Sequence, residues 1–209
     1  MNALHVENLT KKYPRFTLEG VSLTLERGRI MGLIGKNGAG KTTALKAILH
    51  LISPDGGRIE ILGLPCPERE LECRQKLGVV LGGIDFYRDK KLSAITNVTR
   101  RFYREWDEAA YRRYLEEFAL DPVSRDELLT IFRALAADGR RSILYSTHIT
   151  SDLEKCADDI TYIKDGRVLA SGEKGAFLDS FQHLRTRSDA APLTLEDIMV
   201  RTERREFHV

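Results

Sequence analysis

Residues 30–43 read Ile-Met-Gly-Leu-Ile-Gly-Lys-Asn-Gly-Ala-Gly-Lys-Thr-Thr, an apolar run followed directly by a glycine-rich loop. The apolar residues 30–34 are typical of a strand that is buried on both faces. The loop has a glycine, four further residues and then Gly-Lys-Thr, which is the pattern of a phosphate-binding loop between a strand and a helix. This stretch therefore predicts an α/β fold with a site for a polyphosphate at the end of its first buried strand.

Each part of this loop suits a phosphate group, and the candidate binding residues are Gly35, Lys36, Asn37, Gly38, Ala39, Gly40, Lys41, Thr42 and Thr43. Glycines let the backbone approach an anion closely, and the N–H groups of the loop and of the following helix N-terminus point positive partial charge at it. Lys41 is expected to place a full charge near the β- and γ-phosphates, and the Thr42 hydroxyl is the expected ligand for Mg²⁺. A glycine-rich turn without a ligand is the alternative, and the complete pattern argues against it.

The composition of the 209-residue chain narrows the class of protein. The length fits one domain, or one domain with a small appendage. The net charge of +2 is too small to indicate nucleic acid, and no apolar run approaches the ~20 residues needed to cross a bilayer. Cys66, Cys73 and Cys156 show no metal-ligand spacing, and the chain does not begin like a signal peptide. We therefore expect reduced thiols in a cytoplasmic protein.

Strands and helices alternate after residue 30, which predicts a mainly parallel sheet, whereas residues 1–30 predict an antiparallel β part. The predicted strands cover 4–9, 16–30 with a turn at Arg27-Gly28, the loop strand 30–34, 58–62, 78–82, 141–147, and a hairpin of 159–164 and 167–170. The predicted helices cover 41–51, 68–76, 94–119, 123–137 and 151–157, followed by a polar helical tail. Asp121 is the predicted N-cap of the helix at 123–137, with Pro122 at its first position.

Three further features, taken together with the loop, resemble the nucleotide-binding subunit of ABC transporters. Tyr13 stands where that family has an aromatic residue that stacks on adenine, and residues 143–148 resemble the strand that ends at its switch histidine. The hairpin around Asp165-Gly166 follows in the order of the family. The resemblance covers almost the whole chain and points to bacterial exporter-type subunits. It implies a P-loop NTPase core with an N-terminal antiparallel β subdomain and a helical subdomain.

The same resemblance implies a function, namely an ATP-binding subunit that couples ATP binding and hydrolysis to transport by a partner membrane protein. Tyr13 would stack on adenine, the loop would hold the phosphates and Mg²⁺, and His148 would contact the γ-phosphate as a catalytic residue. The implied partners are a transmembrane permease subunit and a second ATP-binding subunit, in a homodimer or a heterodimer. The chain would then lie in the cytoplasm, on the inner face of the cell membrane, and no nucleic-acid partner is expected.

Two motifs of that family are missing from this sequence. The signature loop, Leu-Ser-Gly-Gly-Gln or similar, does not occur, and no run of four apolar residues followed by Asp-Glu precedes Asp121. In the family, that run supplies an aspartate for Mg²⁺ and a glutamate that orients the attacking water. The family's glutamine after the strand at 78–81 falls on Gly82, and Asp85 is the one weak candidate for a substitute metal contact. Mean element lengths put the gap at roughly 35 to 45 residues.

The chain is expected to form one domain over 1–209, divided into an antiparallel β part, the P-loop core, a truncated helical subdomain, the rest of the core and a tail. These parts cover 1–30, 31–85, 86–120, 121–183 and 184–209. The lost strand would lie inside the sheet beside the His148 strand, so the sheet must close up or carry a cleft. Either the natural protein has a segment that this sequence omits, or the protein is truly deleted, and the cost of losing a central strand favours omission.

Two other functions are weighed against the transporter subunit. If the segment is truly absent from the protein, the chain would be a catalytically inactive ABC-like nucleotide-binding or regulatory module. The sequence therefore leaves open whether the protein hydrolyses ATP. A phosphate-loop kinase or GTPase of another family is disfavoured, because the chain has neither an Asn-Lys-x-Asp guanine motif nor an arginine-rich lid.

Overall fold

The computed structural model describes residues 1–80, 90–118, 125–186, 189 and 191–204. Its strands are β1 (Asn2–Tyr13), β2 (Phe16–Glu26), β3 (Ile30–Ile34), β4 (Gly56–Ile61), β5 (Leu64–Cys66), β6 (Ile143–Ser146), β7 (Asp159–Lys164) and β8 (Arg167–Glu173). Its helices are α1 (Lys41–Ile48), α2 (Glu70–Gln75), α3 (Leu92–Thr99), α4 (Glu108–Phe118), α5 (Arg125–Ala137), α6 (Thr150–Cys156), α7 (Lys174–Ser180) and α8 (Leu195–Arg204). Short 3₁₀ turns follow α3 and α7.

The strands form two four-stranded sheets. The first is antiparallel, in the order β2-β1-β4-β5. β1 and β2 agree with the antiparallel β part predicted at 1–30, and β4 and β5 join the same sheet, although the prediction placed their residues in the P-loop core. The second has the order β6-β3-β7-β8, with β3 parallel to both of its neighbours and β8 antiparallel to β7. All five residues of β3 are buried, as their apolar run predicts. This is the α/β architecture that the phosphate-loop pattern predicts.

Apolar packing joins the sheets and the helices into continuous cores. One cluster lies between the antiparallel sheet and α1 and includes Leu9, Leu18 and Leu33. A second lies where α6, α7 and α8 cover β3 and β7, and it includes Leu153, Tyr162 and Ile198. α8 therefore belongs to the core of the domain, although the sequence predicts only a polar helical tail.

Several predicted boundaries shift. The first helix ends at Ile48 and not at Leu51, and the long helical pattern at 94–119 breaks into α3, a 3₁₀ turn and α4. The helix predicted at 123–137 begins, in its described part, at Arg125. Asp121, Pro122, Gly82 and Asp85 lie outside the described residues. The N-cap prediction, the Gly82 comparison and the substitute metal contact are therefore untested.

The strand predicted at 78–82 is wrong for its described part. Residues 78–80 are not in a strand, and Val80 is 98% exposed. Within the part of the chain that the structure describes, the second sheet ends at β6, so the lost strand leaves an end of the sheet and not a cleft inside it. The reason is that an apolar run remains a buried strand only if a neighbouring strand pairs with it. All four residues of β6 are only partly buried, as this end position requires.

All three cysteines are free thiols, as predicted. The Cys66 thiol faces the Cys73 thiol with 2.8 Å between the sulfur atoms, where β5 packs against α2. Burial, with a smaller contribution from Cys73, raises the pKa of Cys66 to about 12.

Candidate functional site

A cleft of about 290 Å³ opens where the glycine-rich loop meets the end of β6. Residues from three separate segments line it, namely Phe16, Asn37, Gly38, Gly40, Lys41, Thr42, Thr43, Ser146, Thr147 and His148. The lining consists of backbone-exposing glycines, one ammonium group, hydroxyl groups, an amide, an imidazole and one aromatic ring.

The topology of the second sheet brings these segments together. β3 runs parallel to β6, with Leu33 opposite Ser146, so both strands end at the same edge of the sheet. The loop leaves this edge after Ile34, and α1 begins at Lys41. Residues 147 and 148 leave the same edge from β6. A crevice at the carboxyl ends of parallel strands is where this class of sheet places its ligands.

Lys41 is the charged centre of the cleft. Its side-chain nitrogen donates hydrogen bonds to the carbonyl oxygens of Gly35, at 2.6 Å, and Lys36, at 3.0 Å. Burial lowers the pKa of Lys41 below the ordinary lysine value. The loop thus holds an ammonium group that has lost part of its hydration, and such a group gains more from a bound anion than a fully hydrated one does.

The cleft fits the triphosphate of a nucleotide. The first four N–H groups of a helix have no partner within the helix, and those of α1 open at the loop. None of the residues that line the cleft is a carboxylate, so within the described chain nothing there repels an anion. Mg²⁺ prefers oxygen ligands and usually keeps several waters, and the Thr42 hydroxyl is an oxygen donor of the right type. The cleft residues therefore fit a nucleotide–magnesium complex, with Thr42 as the ligand that the loop would supply.

The structure brings most of the predicted binding residues into this cleft. Seven of the eleven line it, namely Asn37, Gly38, Gly40, Lys41, Thr42, Thr43 and His148. The other four lie beside it or behind it. Ala39 is buried in the first core cluster, and the Lys36 side chain turns to Glu203 and Asp165. Gly35 packs against the backbone of Ile163, and Tyr13 lies at the exposed end of β1.

Three residues of the cleft were not predicted, namely Phe16, Ser146 and Thr147. Phe16 pairs with Tyr13 across the β1–β2 turn, and its ring lies so close to Gly40 that a Cβ there would be 2.9 Å from it. The sequence offered one signal for Phe16, namely that it stands three residues after Tyr13, across a hairpin turn. Ser146 and Thr147 could have been found, since they directly precede His148 on a strand predicted to end at the site.

Comparison with known proteins agrees with this geometry. A family model described as ABC transporter matches residues 18–143. The chain is 29% identical to the Nod factor export ATP-binding protein I of Burkholderia lata, over 83% of this chain and 71% of that protein. It is 34% identical to the phosphonates import ATP-binding protein PhnC of Wolinella succinogenes, over 56% of this chain and 49% of that protein. A solved structure of an ATP-binding subunit of an ABC transporter has the same fold, with a TM-score of 0.80 and 24% identity, covering 95% of this chain and 98% of that one.

The alignment with the Burkholderia protein also measures the gap. It runs over 218 positions, but 83% of 209 residues is about 173, so about 45 of the aligned positions have no counterpart in this chain. That total over all gaps of the alignment is similar in size to the segment of roughly 35 to 45 residues that mean element lengths indicate is missing.

Proposed function

This chain belongs to the ABC transporter family as a nucleotide-binding domain, and from that membership we propose that its cleft binds ATP with Mg²⁺. The observation that carries the proposal is the meeting of Lys41 and the N-terminus of α1 with residues 146–148 around one cleft. Lys41 and the N-terminus of α1 come from one part of the sequence and His148 comes from a distant part, and together they line a space without carboxylates among its lining residues. A polyphosphate is the ligand class that this chemistry suits.

Each site residue has a role in the proposed complex. The loop N–H groups and Lys41 bind the phosphate oxygens, and Thr42 ligates Mg²⁺, which neutralises phosphate charge when bound. His148 is exposed just after β6 and lines the cleft. In the proposed complex its imidazole contacts the terminal phosphate. Tyr13 is 43% exposed and pairs with Phe16, which lines the cleft, and in the proposed complex it provides a stacking surface for the adenine ring.

The proposed biological role is that of an ATP-binding subunit that drives a membrane partner. No helix in the described part of the chain is long and apolar enough to span a membrane, so the proposal assigns transport to a permease subunit. A second ATP-binding subunit, identical or different, would pair with this one, and the pair would lie on the inner face of the membrane. The exporter-like subgroup stays a prediction, since one relative is named for export and the other for import.

ATP binding to the Lys41→Ala variant tests the nucleotide site. Titration with a fluorescent ATP analogue in the presence of Mg²⁺ should show saturable binding to the unmodified chain and none to the variant. Lys46→Ala is the matched control, because Lys46 is exposed on the same helix, about 7.5 Å along its axis. Equal binding by the wild-type and Lys41→Ala chains, or no binding by the wild type, would contradict the proposal.

A second candidate function is supported by the missing segment. Phosphoryl transfer depends on positioning and on neutralising charge around the metal, and the sequence lacks the Asp-Glu strand that the family uses for both. The 209-residue chain would then bind ATP without hydrolysing it, as a regulatory module. ATP turnover above background that disappears in Lys41→Ala would exclude this role.

The mass of the intact protein decides which of these functions applies. A mass of 23.7 kDa would establish a true deletion and favour the non-hydrolysing module. A mass higher by roughly 4 to 5 kDa, the weight of about 40 residues, would show that the natural chain contains the missing segment and would support the ATPase.

A further inference from the structure

Glu203, near the C-terminal end of α8, contacts the phosphate loop through the side chain of Lys36. One carboxylate oxygen accepts a hydrogen bond from the side-chain nitrogen of Lys36 at 2.9 Å. The other accepts a hydrogen bond from the hydroxyl of Tyr162 at 3.2 Å. Lys36 also lies 3.6 Å from a carboxylate oxygen of Asp165, so its ammonium group sits between two acidic side chains. The hydrogen bond that Lys36 donates to Glu203, with the charges of both acids, raises the pKa of Lys36.

The position of Glu203 is set by the core of the domain. Leu195 and Ile198 of α8 are fully buried in the second apolar cluster, beside Tyr162 of β7. The side-chain nitrogen of Lys164 also donates a hydrogen bond to the carbonyl oxygen of Thr202 at 3.4 Å. The Glu203 side chain is only 20% exposed, so its carboxylate is held in a partly desolvated position.

The backbone of Lys36 connects the contact with Glu203 to the binding site. Its carbonyl oxygen accepts hydrogen bonds from the side chain of Lys41, at 3.0 Å, and from the N–H of Ala39, at 3.2 Å. The side chain of Lys36 is therefore fixed behind the loop, while its backbone faces the lysine that is expected to bind phosphate. A fixed loop loses less conformational entropy when a ligand binds.

We propose that Glu203 is a positioning residue for nucleotide binding, acting through Lys36. It holds the first half of the phosphate loop in the arrangement that receives the phosphates. The inference rests on the proposed ATP site and adds that the C-terminal helix controls the affinity of that site.

The direction in which Glu203→Gln changes the ATP affinity separates this positioning role from a purely electrostatic effect. Glu203 brings a negative charge close to a site for an anion, so if only the electric field mattered, Glu203→Gln would tighten ATP binding. If Glu203 acts by holding Lys36, the same substitution loosens the loop and weakens binding. The two mechanisms predict opposite changes in the same dissociation constant.

The experiment is a double-mutant cycle of Glu203→Gln and Lys36→Gln, with the ATP dissociation constant as the readout. We expect Glu203→Gln to weaken ATP binding about threefold to tenfold, and the double variant to bind no more weakly than the weaker single variant. Glu196→Gln is the control, because Glu196 is an exposed carboxylate about 10 Å away along the same helix. It should bind ATP like the wild type.

Two outcomes would overturn the inference, namely unchanged or tighter ATP binding by Glu203→Gln, and additive effects of the two substitutions. Thermal unfolding without nucleotide shows whether a variant has lost its fold. If Glu203→Gln does not fold, the Lys36→Gln variant alone tests the inference. In that case, unchanged or tighter ATP binding by Lys36→Gln overturns the inference. Wild-type binding that is lost in Lys41→Ala but kept in Glu203→Gln would reject this inference alone. Absent wild-type binding would instead reject the proposed function.

Discussion

The side-chain nitrogen of Lys41 lies 2.6 Å from the carbonyl oxygen of Gly35, so the loop holds its own ammonium group through a backbone hydrogen bond. This contact and the second one to Lys36 give two of the three N–H groups of the ammonium a partner within the described chain. A bound polyphosphate would offer this ammonium group charged oxygens, which form stronger hydrogen bonds than carbonyl oxygens do. In the proposed complex the ammonium group therefore gains stronger hydrogen-bond partners, which favours the binding of an anion.

The first prediction concerns the pH dependence of ATP affinity. Burial lowers the pKa of Lys41, so in the free protein this lysine loses its proton at a lower pH than an ordinary lysine, whose pKa is 10.5. Because only the charged form attracts phosphate, the contribution of Lys41 to ATP affinity should fall as the pH rises through the lowered pKa, before 10.5 is reached. Calorimetric titrations at a series of pH values measure this change.

Lys41→Arg is the control for that series. A guanidinium group keeps its charge throughout the range, so the alkaline decrease should disappear even if the affinity is lower overall. An identical alkaline decrease in Lys41→Arg would show that another group is responsible.

The second prediction separates the two aromatic residues at the β1–β2 turn. Tyr13 is exposed, and the proposed function assigns it to the adenine ring, so Tyr13→Ala should weaken binding of ATP by about tenfold and leave the binding of inorganic tripolyphosphate unchanged. Phe16 packs against the first core cluster and beside Gly40, so Phe16→Ala should weaken binding of both ligands by disturbing the loop. Competition assays with the two ligands distinguish these effects. Loss of tripolyphosphate binding in Tyr13→Ala would mean that Tyr13 supports the loop and not the base.

The third prediction concerns Gly166, in the turn between β7 and β8. Its N–H donates to the carbonyl oxygen of Ala39 at 3.0 Å, and its own carbonyl oxygen accepts from the N–H of Glu19 at 2.8 Å. The residue has φ +81°, and a Cβ would overlap the carbonyl oxygen of Thr17. Gly166→Ala should therefore lower the free energy of unfolding by about 3 kcal/mol or more, as backbone strain adds to a steric clash.

Gly20→Ala is the matched comparison for Gly166→Ala. Gly20 also has a positive φ, +62°, but within the described chain a Cβ there would meet no atom within 4 Å. It should cost only the strain of roughly 1–2 kcal/mol. Equal losses for the two variants in denaturant unfolding would mean that β2 and the turn move apart at little cost.

The fourth prediction concerns the pair of Arg29 and Asp159, which ties the start of β3 to β7. The guanidinium group donates two hydrogen bonds of 2.6 Å, one to each carboxylate oxygen, and the Asp159 side chain is 12% exposed. Asp159→Asn should lower the free energy of unfolding by about 1–3 kcal/mol, because a charged and mostly buried pair is broken.

Glu19→Gln supplies the comparison for that pair. Glu19 pairs with Arg167 in the open, where the two side chains are 56% and 69% exposed, so its loss should cost less than about 1 kcal/mol. Urea unfolding measures both values, and a similar cost for the two variants would mean that the Arg29–Asp159 pair is as well hydrated as a surface pair.

The sequence predicts the elements that depend on neighbouring residues. The run at 30–34 forms a buried strand, the loop leads into a helix at Lys41, and Asp165-Gly166 turns a hairpin. These predictions succeed because hydrophobic period, glycine and turn chemistry act over a few residues. The strand at 78–82 fails over its described residues, because an apolar run cannot show from its own composition whether a partner strand lies beside it.

The residues of the site fall into the same two groups, those predicted from the sequence and those found only in the structure. The sequence by itself predicted the glycine-rich loop between β3 and α1, with Lys41 and Thr42 at its end, and the histidine that follows a strand. Only the tertiary structure decided that Phe16 lines the cleft, that the described sheet ends at β6, and that Glu203 holds Lys36 across 167 residues of sequence. The physical reason is that the chemistry of a loop depends on the backbone conformations of consecutive residues. Contacts between distant side chains instead depend on how α8 packs against β7, which no local pattern specifies.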